Sequence, residues 1–420
     1  MVNNMQDLSA SARKITAVLF AQQSLASAGF IAAATLNAIV AAGLTSKPAY
    51  AGVPSAMNLL AGAFAAFGWG IVFEALGRRK GLVAGLVFGV LGSGLAFYAI
   101  ALRSFPLFLV GMLLMGTANA AVMLGRFAAA EVHPPAERGR AISNVVIGGT
   151  VGAVIGPLVT GPAGQFFKQI AGDELAGAYA VSLLLFIVAA ITVWFGLRPD
   201  PRELGRLVSE KYPVAGAQAG EVRSLGQIFR QPAAQVALLA MLLGQMVMVL
   251  VMVITSLHMR GHQHGLGDIS LVISAHTFGM YAFSILSGRL VDRWGRGPVI
   301  LTGSAVLVLA CLAATLSPDV LPLGVALFLL GLGWNFCYVG GSTLLADQLS
   351  PGERARTQGF NDLLVGLASA LGSLQSGFIF AAVGYNVMAF VSAGIALIPL
   401  TAAAFWTFRQ ARSPQPVQGD

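Results

Sequence analysis

Twelve long apolar segments constrain the fold of this chain more than any other feature of its sequence. Each contains about 20 residues or more, the length that an α-helix needs to cross a hydrocarbon core of about 30 Å. Backbone polar groups in lipid must pair within their own segment, so we expect helices rather than strands. The sequence therefore predicts an all-α integral membrane protein with twelve transmembrane helices. The spans lie roughly at 15–42, 54–76, 82–102, 105–129, 142–166, 176–197, 233–257, 268–291, 298–316, 322–345, 358–382 and 385–408.

The positive charge of the chain is concentrated on one side of the predicted membrane. The formal net charge is +8, and 21 of the 25 lysines and arginines fall in loops on the same side as the N-terminus. Cytoplasmic loops are typically enriched in these residues. We therefore expect both termini in the cytoplasm and the chain in the plasma (inner) membrane. Because the charge follows the topology, we expect no nucleic-acid partner.

Two polar segments occur twice, at an interval of about half the chain. GIVFEALGRRK at 70–80 matches GRLVDRWGR at 288–296, which begins 218 residues later. EVHPPAERGR at 131–140 matches DQLSPGERAR at 347–356, which begins 216 residues later. Repetition at one fixed interval indicates two homologous halves.

The repeat and the distribution of polar residues set the expected organisation of the chain. The longest polar stretch lies between the halves, and 202–211 within it could form a short amphipathic helix. We recognise no catalytic or nucleotide-binding motif, and we expect neither an enzyme nor a cofactor. The predicted parts are an N-terminal six-helix half at 1–197, a cytoplasmic linker at 198–232, a C-terminal half at 233–412 and a disordered tail at 413–420.

The repeated pattern G-x3-D-R-x-G-R resembles a motif of the major facilitator superfamily, and the resemblance covers nearly the whole chain. The copy at 288–296 is complete, whereas the copy at 70–78 has Glu74 in place of Asp and Ala75 in place of Arg. The resemblance implies a transporter with six-helix halves around a central cavity, which opens to each side of the membrane in turn.

The resemblance also implies a charge network that holds the cytoplasmic side closed. Carboxylates in such a network pair with arginines. The alternative is a charge cluster that only fixes the orientation of the chain. By matching position, the network includes Gly70, Glu74, Gly77, Arg78, Gly288, Asp292, Arg293, Gly295 and Arg296, together with Glu131 and Arg140 and with Asp347 and Arg356.

Polar, aromatic and methionine side chains follow one face of spans one, four, seven and ten, which line the central cavity in the family. Surfaces rich in methionine accept varied apolar partners. The alternative use of these side chains is packing and hydrogen bonding between helices. The candidates are Gln23, Ser27, Phe30, Asn37, Met112, Met115, Asn119, Met123, Met241, Gln245, Met248, Met252, Trp334, Asn335 and Tyr338.

Span five resembles the antiporter motif of exporters that exchange their substrate for protons. The matching residues are Gly152, Gly156, Pro157 and Gly161, whereas Thr160 replaces a glycine of the motif. The alternative is a face of small residues that packs against another helix.

Three ionisable residues inside the predicted spans are candidates for proton coupling, namely His276, Arg126 and Asp362. Ionisable groups at membrane depth are uncommon and often functional. For His276, the alternative is a neutral imidazole that is hydrogen-bonded to a neighbouring helix.

Four of the five histidines lie between 258 and 276. Three uses are open for them, namely ordinary interfacial residues, a pH-responsive gate or a metal site.

Taken together, these features favour a proton-coupled exporter of small apolar or amphipathic compounds that works as a monomer. The first alternative is a secondary transporter that takes up a nutrient or vitamin. The second is a membrane receptor or assembly factor that has the same fold but transports nothing. The sequence does not name the substrate.

Overall fold

A computed structural model describes residues 5–212 and 223–412, and the described ranges are helical with no strand. The predicted tail at 413–420 lies outside them, as do residues 213–222 of the predicted linker. Short 3-10 helices lie at Pro48–Tyr50 and Pro135–Glu137. The α-helices are α1 (Met5–Thr45), α2 (Val53–Leu76), α3 (Arg78–Ala101), α4 (Phe105–Met123), α5 (Gly125–Glu131), α6 (Arg138–Ala171), α7 (Ala176–Gly196), α8 (Pro201–Lys211), α9 (Leu225–Phe229), α10 (Pro232–Gly261), α11 (Leu266–Tyr281), α12 (Ser284–Trp294), α13 (Arg296–Ala313), α14 (Val320–Asp347) and α15 (Pro351–Arg412).

Eleven helical stretches in the described part of the chain are long and apolar enough to cross a membrane. Ten of them match one predicted span each. The eleventh, Gly352–Arg409, contains two predicted spans. Its helix is interrupted at Gly384, where φ is 78°, a left-handed conformation that glycine adopts without a steric penalty. The predicted all-α fold with twelve membrane spans is therefore confirmed.

The chain divides into two compact units that do not coincide with continuous halves of the sequence. Unit 1 comprises Met1–Gly216, Val253–Ser274 and Ser373–Ala382. Unit 2 comprises Ala217–Met252, Ala275–Gly372 and Val383–Asp420. The predicted boundaries of the halves stay a prediction, because a division by compactness does not measure homology.

Unit 1 holds its two later segments through specific polar contacts. The Ser373 hydroxyl donates to the carbonyl oxygen of Gly52 at 2.9 Å, and the Ser274 hydroxyl donates to that of Val154 at 3.0 Å. Arg260 forms an ion pair with Glu174. Parts of α10, α11 and α15 are therefore integral to this unit.

In unit 1, α1 packs closely against α6. A Cβ atom added to Gly152 would lie 2.0 Å from the carbonyl oxygen of Ser24, and one added to Gly156 would lie 2.4 Å from that of Ala28. No side chain fits at such distances, so glycine allows the two backbones to touch.

The linker begins with the helix that the sequence predicted. α8 covers Pro201–Lys211, and the Asp200 carboxylate caps it by accepting a hydrogen bond from the Arg202 amide at 2.9 Å. Leu204 and Val208 are buried, one turn apart. The predicted amphipathic helix at 202–211 is therefore confirmed.

In unit 2, the eighth span is interrupted between α11 and α12, and Asn335 of α14 stabilises the interruption. The Asn335 amide donates to the carbonyl oxygen of Met280 at 2.7 Å and to the Ser284 hydroxyl at 2.9 Å, and its oxygen accepts from the Ser287 hydroxyl. These bonds satisfy polar groups near the break. Asn335, proposed above to line the substrate cavity, is buried in this network with 2% of its surface exposed.

We expect Asn335→Ala to destabilise the protein by about 1 to 2 kcal/mol, because it removes three hydrogen bonds to the residues around the break. The matched control is Asn119→Ala, at the corresponding position of the first half. Asn119 is half-buried and makes no side-chain hydrogen bond with described residues. Thermal unfolding in detergent measures both variants. Equal melting temperatures for the two variants would contradict the assigned role.

Candidate functional site

Both units contain the same tight turn at the repeated motif. The turn between α2 and α3 is made at Gly77, with φ 84° and ψ 172°, and the turn between α12 and α13 at Gly295, with φ 90° and ψ 165°. These left-handed conformations strain residues that have a Cβ atom. The two motif glycines therefore set the direction in which the following arginine leaves the turn.

The arginine after each of these glycines pairs with an acid at the end of a later helix. Arg78 binds both oxygens of Glu131, with distances of 2.8 Å from Nε and 2.6 Å from Nη2. Arg296 Nε donates to Asp347 at 2.7 Å. In addition, Nη1 of Arg78 donates to the carbonyl oxygen of Phe73 at 3.0 Å. Each arginine therefore fastens one interhelical turn to an acidic helix end within its own unit.

The same backbone contact is present in unit 2, where Nη1 of Arg296 donates to the carbonyl oxygen of Val291 at 3.4 Å. Val291 lies 218 residues after Phe73, the interval of the sequence repeat. The duplication seen in the sequence is therefore a duplication of hydrogen-bonded geometry. Glu131 and Asp347 pair with the turn arginines, not with Arg140 and Arg356, with which the sequence grouped them.

Asp200 is a member of this site that the sequence reasoning missed. Its carboxylate accepts hydrogen bonds from the backbone amides of Arg78 at 3.2 Å and Arg79 at 3.0 Å. It therefore caps the start of α3 as well as the start of α8. A carboxylate is favourable at both positions because helix N-termini carry partial positive charge. The only sequence signal was the Asp-Pro pair that opens α8.

The corresponding region of unit 2 contains a buried acid, Glu353, whose partner Arg223 was also missed. The Glu353 side chain is 0% exposed and binds Arg223 with an Nη2–Oε2 distance of 2.7 Å. It also accepts a hydrogen bond from the backbone amide of Ser350 at 2.9 Å. The bond to Glu353 raises the pKa of the Arg223 guanidinium above its ordinary value, so this group stays charged. Arg356 contributes by donating to the carbonyl oxygen of Arg223.

Other predicted members of the charge network lie on the surface. Glu74, Asp292, Arg293 and Arg140 are exposed, and none of them forms an ion pair with a described residue. The backbone oxygen of Glu74 accepts a hydrogen bond from Arg202 at 2.7 Å. A Cβ atom added at Gly70 or Gly288 would meet open space. The side chains of Glu74, Asp292, Arg293 and Arg140 therefore form no ion pair that holds the described part of their unit together.

Unit 2 brings three predicted cavity residues together in an aromatic cluster. Trp334 Nε1 donates to the Gln245 side-chain oxygen at 2.6 Å, and Tyr338 stacks on Trp334 with ring centroids 5.2 Å apart. Tyr281, which the sequence reasoning missed, lies edge-on to Trp334 at 6.1 Å. All four side chains are partly exposed. The arrangement can offer flat apolar surface beside a single amide group, which suits recognition of small apolar compounds.

The methionine stripes are mostly buried in helix contacts. Met112, Met115, Met241 and Met248 are at most 4% exposed. The side chain of Met115 packs where a Cβ atom on Gly92 would clash, and that of Met241 does the same at Gly341. Met252 is half-buried, and Met123 is 38% exposed. Their environment favours the packing alternative for most of the stripe.

In span one, the predicted polar face serves contacts within unit 1. Asn37 accepts a hydrogen bond from the Tyr179 hydroxyl at 2.8 Å and donates to the Ser55 hydroxyl at 3.3 Å. Asn37 therefore joins three helices.

The remaining span-one candidates also have partners inside the unit. The Gln23 amide lies 3.4 Å from the Ser27 hydroxyl on the same helix. The Phe30 ring lies edge-on to that of Phe186, with centroids 4.9 Å apart. Ser27 and Phe30 remain partly exposed.

The antiporter-like segment of span five lies in close helix contacts. Gly152 and Gly156 touch the backbone of α1, as described above, and a Cβ atom on Gly161 would lie 3.0 Å from the Cα atom of Gly267. Pro157 lies inside α6. These contacts agree with the packing alternative and leave the antiporter role a prediction.

The three candidates for proton coupling have different environments. His276 is fully buried, with Nδ1 2.9 Å from the carbonyl oxygen of Leu327, and its Nε2 has no partner among the described residues. The Arg126 guanidinium lies 4.9 Å from the centre of the Phe127 ring. Asp362, which lies inside a predicted span, is exposed.

The histidines at 258–264 contact one another or a neighbouring acid. No group of three or more His, Cys, Asp or Glu residues in the described chain is placed to hold a metal ion. His258 and His262 contact each other with ring centroids 4.5 Å apart, and His264 lies 4.0 Å from Asp268.

Removing Arg223 should destabilise the protein more than removing Arg296. Arg223→Ala leaves the buried Glu353 carboxylate without its cation, whereas Arg296→Ala exposes an acid that is already 43% accessible to solvent. We expect the melting temperature in detergent to fall roughly twice as far, or more, for Arg223→Ala. Adding Glu353→Gln should recover part of that loss. Equal falls in melting temperature for Arg223→Ala and Arg296→Ala would contradict the prediction that the buried ion pair is the more important for stability.

Comparison with known proteins adds family relationships to this geometry. The family described as Major Facilitator Superfamily matches residues 18–267 and 236–419. An uncharacterised MFS-type transporter of Bacillus subtilis (strain 168), YdeG, is 33% identical over 392 residues, which cover 93% of this chain and 91% of YdeG.

Two relatives have names that state a function. The riboflavin transporter RfnT of Brucella anthropi is 29% identical over 400 residues, which cover 94% of this chain and 97% of RfnT. The multidrug resistance protein MdtL of Shigella flexneri serotype 5b is 32% identical over 111 residues, which cover 26% of this chain and 28% of MdtL.

Proposed function

Because this chain belongs to the major facilitator superfamily, we propose that it is a secondary transporter that exports small apolar or amphipathic compounds in exchange for protons. The observation that carries the proposal is the duplicated ion pair, Arg78 with Glu131 and Arg296 with Asp347. A carrier that opens alternately to either side of the membrane needs contacts that can form and break. Both pairs lie at the cytoplasmic side in the topology that the basic loops predict.

We call these two ion pairs, Arg78 with Glu131 and Arg296 with Asp347, the latch. Their strength suits contacts that form and break reversibly. The Arg78 and Glu131 side chains are 20% and 35% exposed, and those of Arg296 and Asp347 are 31% and 43% exposed. Partly exposed ion pairs typically contribute about 1 kcal/mol or less. Thermal energy is sufficient to break an ion pair of this strength during the conformational change of a transporter. Asp292, which is exposed, is proposed to complete the latch when the cytoplasmic side closes.

We assign substrate contact to the cluster of Gln245, Trp334, Tyr338 and Tyr281. Its indole and phenol rings offer dispersion contacts to varied apolar compounds, and Gln245 supplies a polar anchor. The Trp334–Gln245 hydrogen bond holds the indole in one orientation. Its partial exposure makes the cluster a better candidate than the buried methionines.

Two observations support export coupled to protons. The span-five segment carries most of the antiporter motif, and a stretch of 111 residues is similar to the multidrug resistance protein MdtL. His276 is the proposed proton carrier, because its buried Nε2 has no protein partner among the described residues.

One comparison favours a second function, the uptake of a vitamin. RfnT, named a riboflavin transporter, is similar over 94% of this chain, whereas the similarity to MdtL covers 26%. A planar ring system also suits the stacked pair of Trp334 and Tyr338. Riboflavin is therefore the first nutrient to test.

Transport into vesicles distinguishes these functions. Inside-out proteoliposomes with an acidic lumen should accumulate fluorescent amphipathic dyes if the protein exchanges them for protons. Right-side-out vesicles should accumulate riboflavin if it is an uptake carrier. The variant His276→Gln keeps hydrogen bonding but cannot carry a proton, so it should abolish pH-driven accumulation and retain downhill flux. Full pH-driven accumulation by the variant would exclude His276, and no transport of any compound would favour a receptor.

Substitution of the aromatic cluster should alter selectivity. Trp334→Leu should remove stacking and reduce transport of planar compounds more than that of flexible aliphatic cations, as judged from the ratio of their initial rates. Phe278→Leu is the matched control, because this partly exposed aromatic residue of α11 contacts Phe283 and Phe328 and not the cluster. A uniform fall for all compounds that follows the melting temperature would indicate that Trp334 only packs helices.

A further inference from the structure

Unit 1 contains a basic cavity of about 700 Å³ at the end where α1 begins. Its walls come from the first turns of α1, the loop before α6, the first turn of α6 and the end of α8. The charged lining residues are Arg13, Arg140, Lys211 and Glu137, with His133 beside them. A volume of this size is in the range of cavities that hold small organic ligands.

Among the described side chains that line this cavity, positive charges outnumber negative ones. Three permanent cations face one carboxylate, and neither Arg13, Arg140 nor Lys211 forms an ion pair with a described residue. His133 places Nδ1 2.9 Å from the carbonyl oxygen of Ala129, which leaves Nε2 for another partner. Unpaired cations gathered around one cavity attract an anion.

A second cavity of about 320 Å³ shares Arg13, His133 and Asn144 with the first and continues between α1 and α6. Its other lining residues are Thr16, Ala17, Phe20 and Ile147. The lining is therefore charged in the first cavity and mainly apolar in the second, which lies along α1 and α6. The two cavities together match a ligand that has an anionic head and an apolar chain.

We propose that these two cavities bind an anionic phospholipid, with its phosphate among Arg13, Arg140 and Lys211 and one acyl chain along the cleft between α1 and α6. The position supports a lipid, because the basic cavity lies at the ends of membrane-spanning helices, where headgroups lie. The polarity also supports it, since a soluble phosphate would have no use for the apolar cleft. Each basic residue near a membrane surface raises the affinity for anionic lipid roughly fivefold.

The site would connect the lipid to the turn described above. Lys211 ends α8, and Asp200 at the start of α8 accepts hydrogen bonds from the backbone of Arg78 and Arg79. A lipid held by Lys211, Arg13 and Arg140 therefore bridges α8 to α1 and α6. Occupancy would restrain the helix that supports the Arg78 turn.

Lipid binding can be measured on the full chain in nanodiscs of phosphatidylcholine that contain increasing phosphatidylglycerol. Native mass spectrometry gives the number of phosphatidylglycerol molecules retained and their apparent affinity. The test variant is Arg13→Gln with Lys211→Gln, which leaves Arg140, a predicted member of the charge network, intact. The control is Arg206→Gln with Arg230→Gln, which removes two exposed charges but none from the cavities.

We expect the test variant to bind phosphatidylglycerol about fivefold more weakly for each removed charge, and the control to match the wild type. Ile147→Trp should narrow the cleft and weaken binding of phosphatidylglycerol. Equal affinities for the test and control variants, with both folded by thermal unfolding, would overturn the proposal. So would tight, charge-dependent binding of inorganic phosphate or hexyl phosphate that displaces the lipid, since the cavity would then be a site for soluble anions.

Discussion

The absence of water in the membrane core is the constraint on which this structure depends. Every backbone amide and carbonyl must find a partner inside the protein, so the described chain is helical and its interruptions need support. The interruption between α11 and α12 is supported by Asn335, which bonds the carbonyl oxygen of Met280. At Gly384 the helix turns through a conformation that only glycine adopts easily. At each of these two breaks, a specific residue lowers the free-energy cost of interrupting the helix.

The two units share one turn, but different residues attach it to the rest of each unit. In both, a left-handed glycine is followed by an arginine that reaches an acid 53 or 51 residues later in the chain. Unit 1 adds the Asp200 carboxylate at the start of α3. Unit 2 adds the buried pair of Arg223 and Glu353 near the same acidic helix end. Residues on either side of the undescribed segment 213–222 thus bond to elements of the repeated motif.

The sequence predicted the membrane spans well, because their length and polarity follow from the bilayer itself. The repeat also predicted which residues belong to the two turns. The sequence placed Asn37, Asn335 and Met115 on a cavity face, whereas the structure buries them, because periodicity identifies residues that share a face and not what the face contacts. The roles of Asp200 and Arg223 could not be predicted, since both residues lie outside any apolar pattern and their partners are more than 100 residues away in the chain. Asp362 lies inside a predicted span, yet it is exposed, because the apolar length of a span does not tell which of its faces the protein covers.

Differences in burial divide the ion pairs of this protein into two kinds. The pairs of Arg78 with Glu131 and Arg296 with Asp347 are partly solvated, so water replaces each partner when they separate, and the cost stays near 1 kcal/mol. Glu353 is 0% exposed, and it would lose its charge compensation if Arg223 left. A conformational cycle can therefore open the first two pairs repeatedly, whereas the third is suited to hold the start of α9 on α15 throughout. For this reason we assign reversible breaking of ion pairs to Arg78 and Arg296, and a permanent structural role to Arg223.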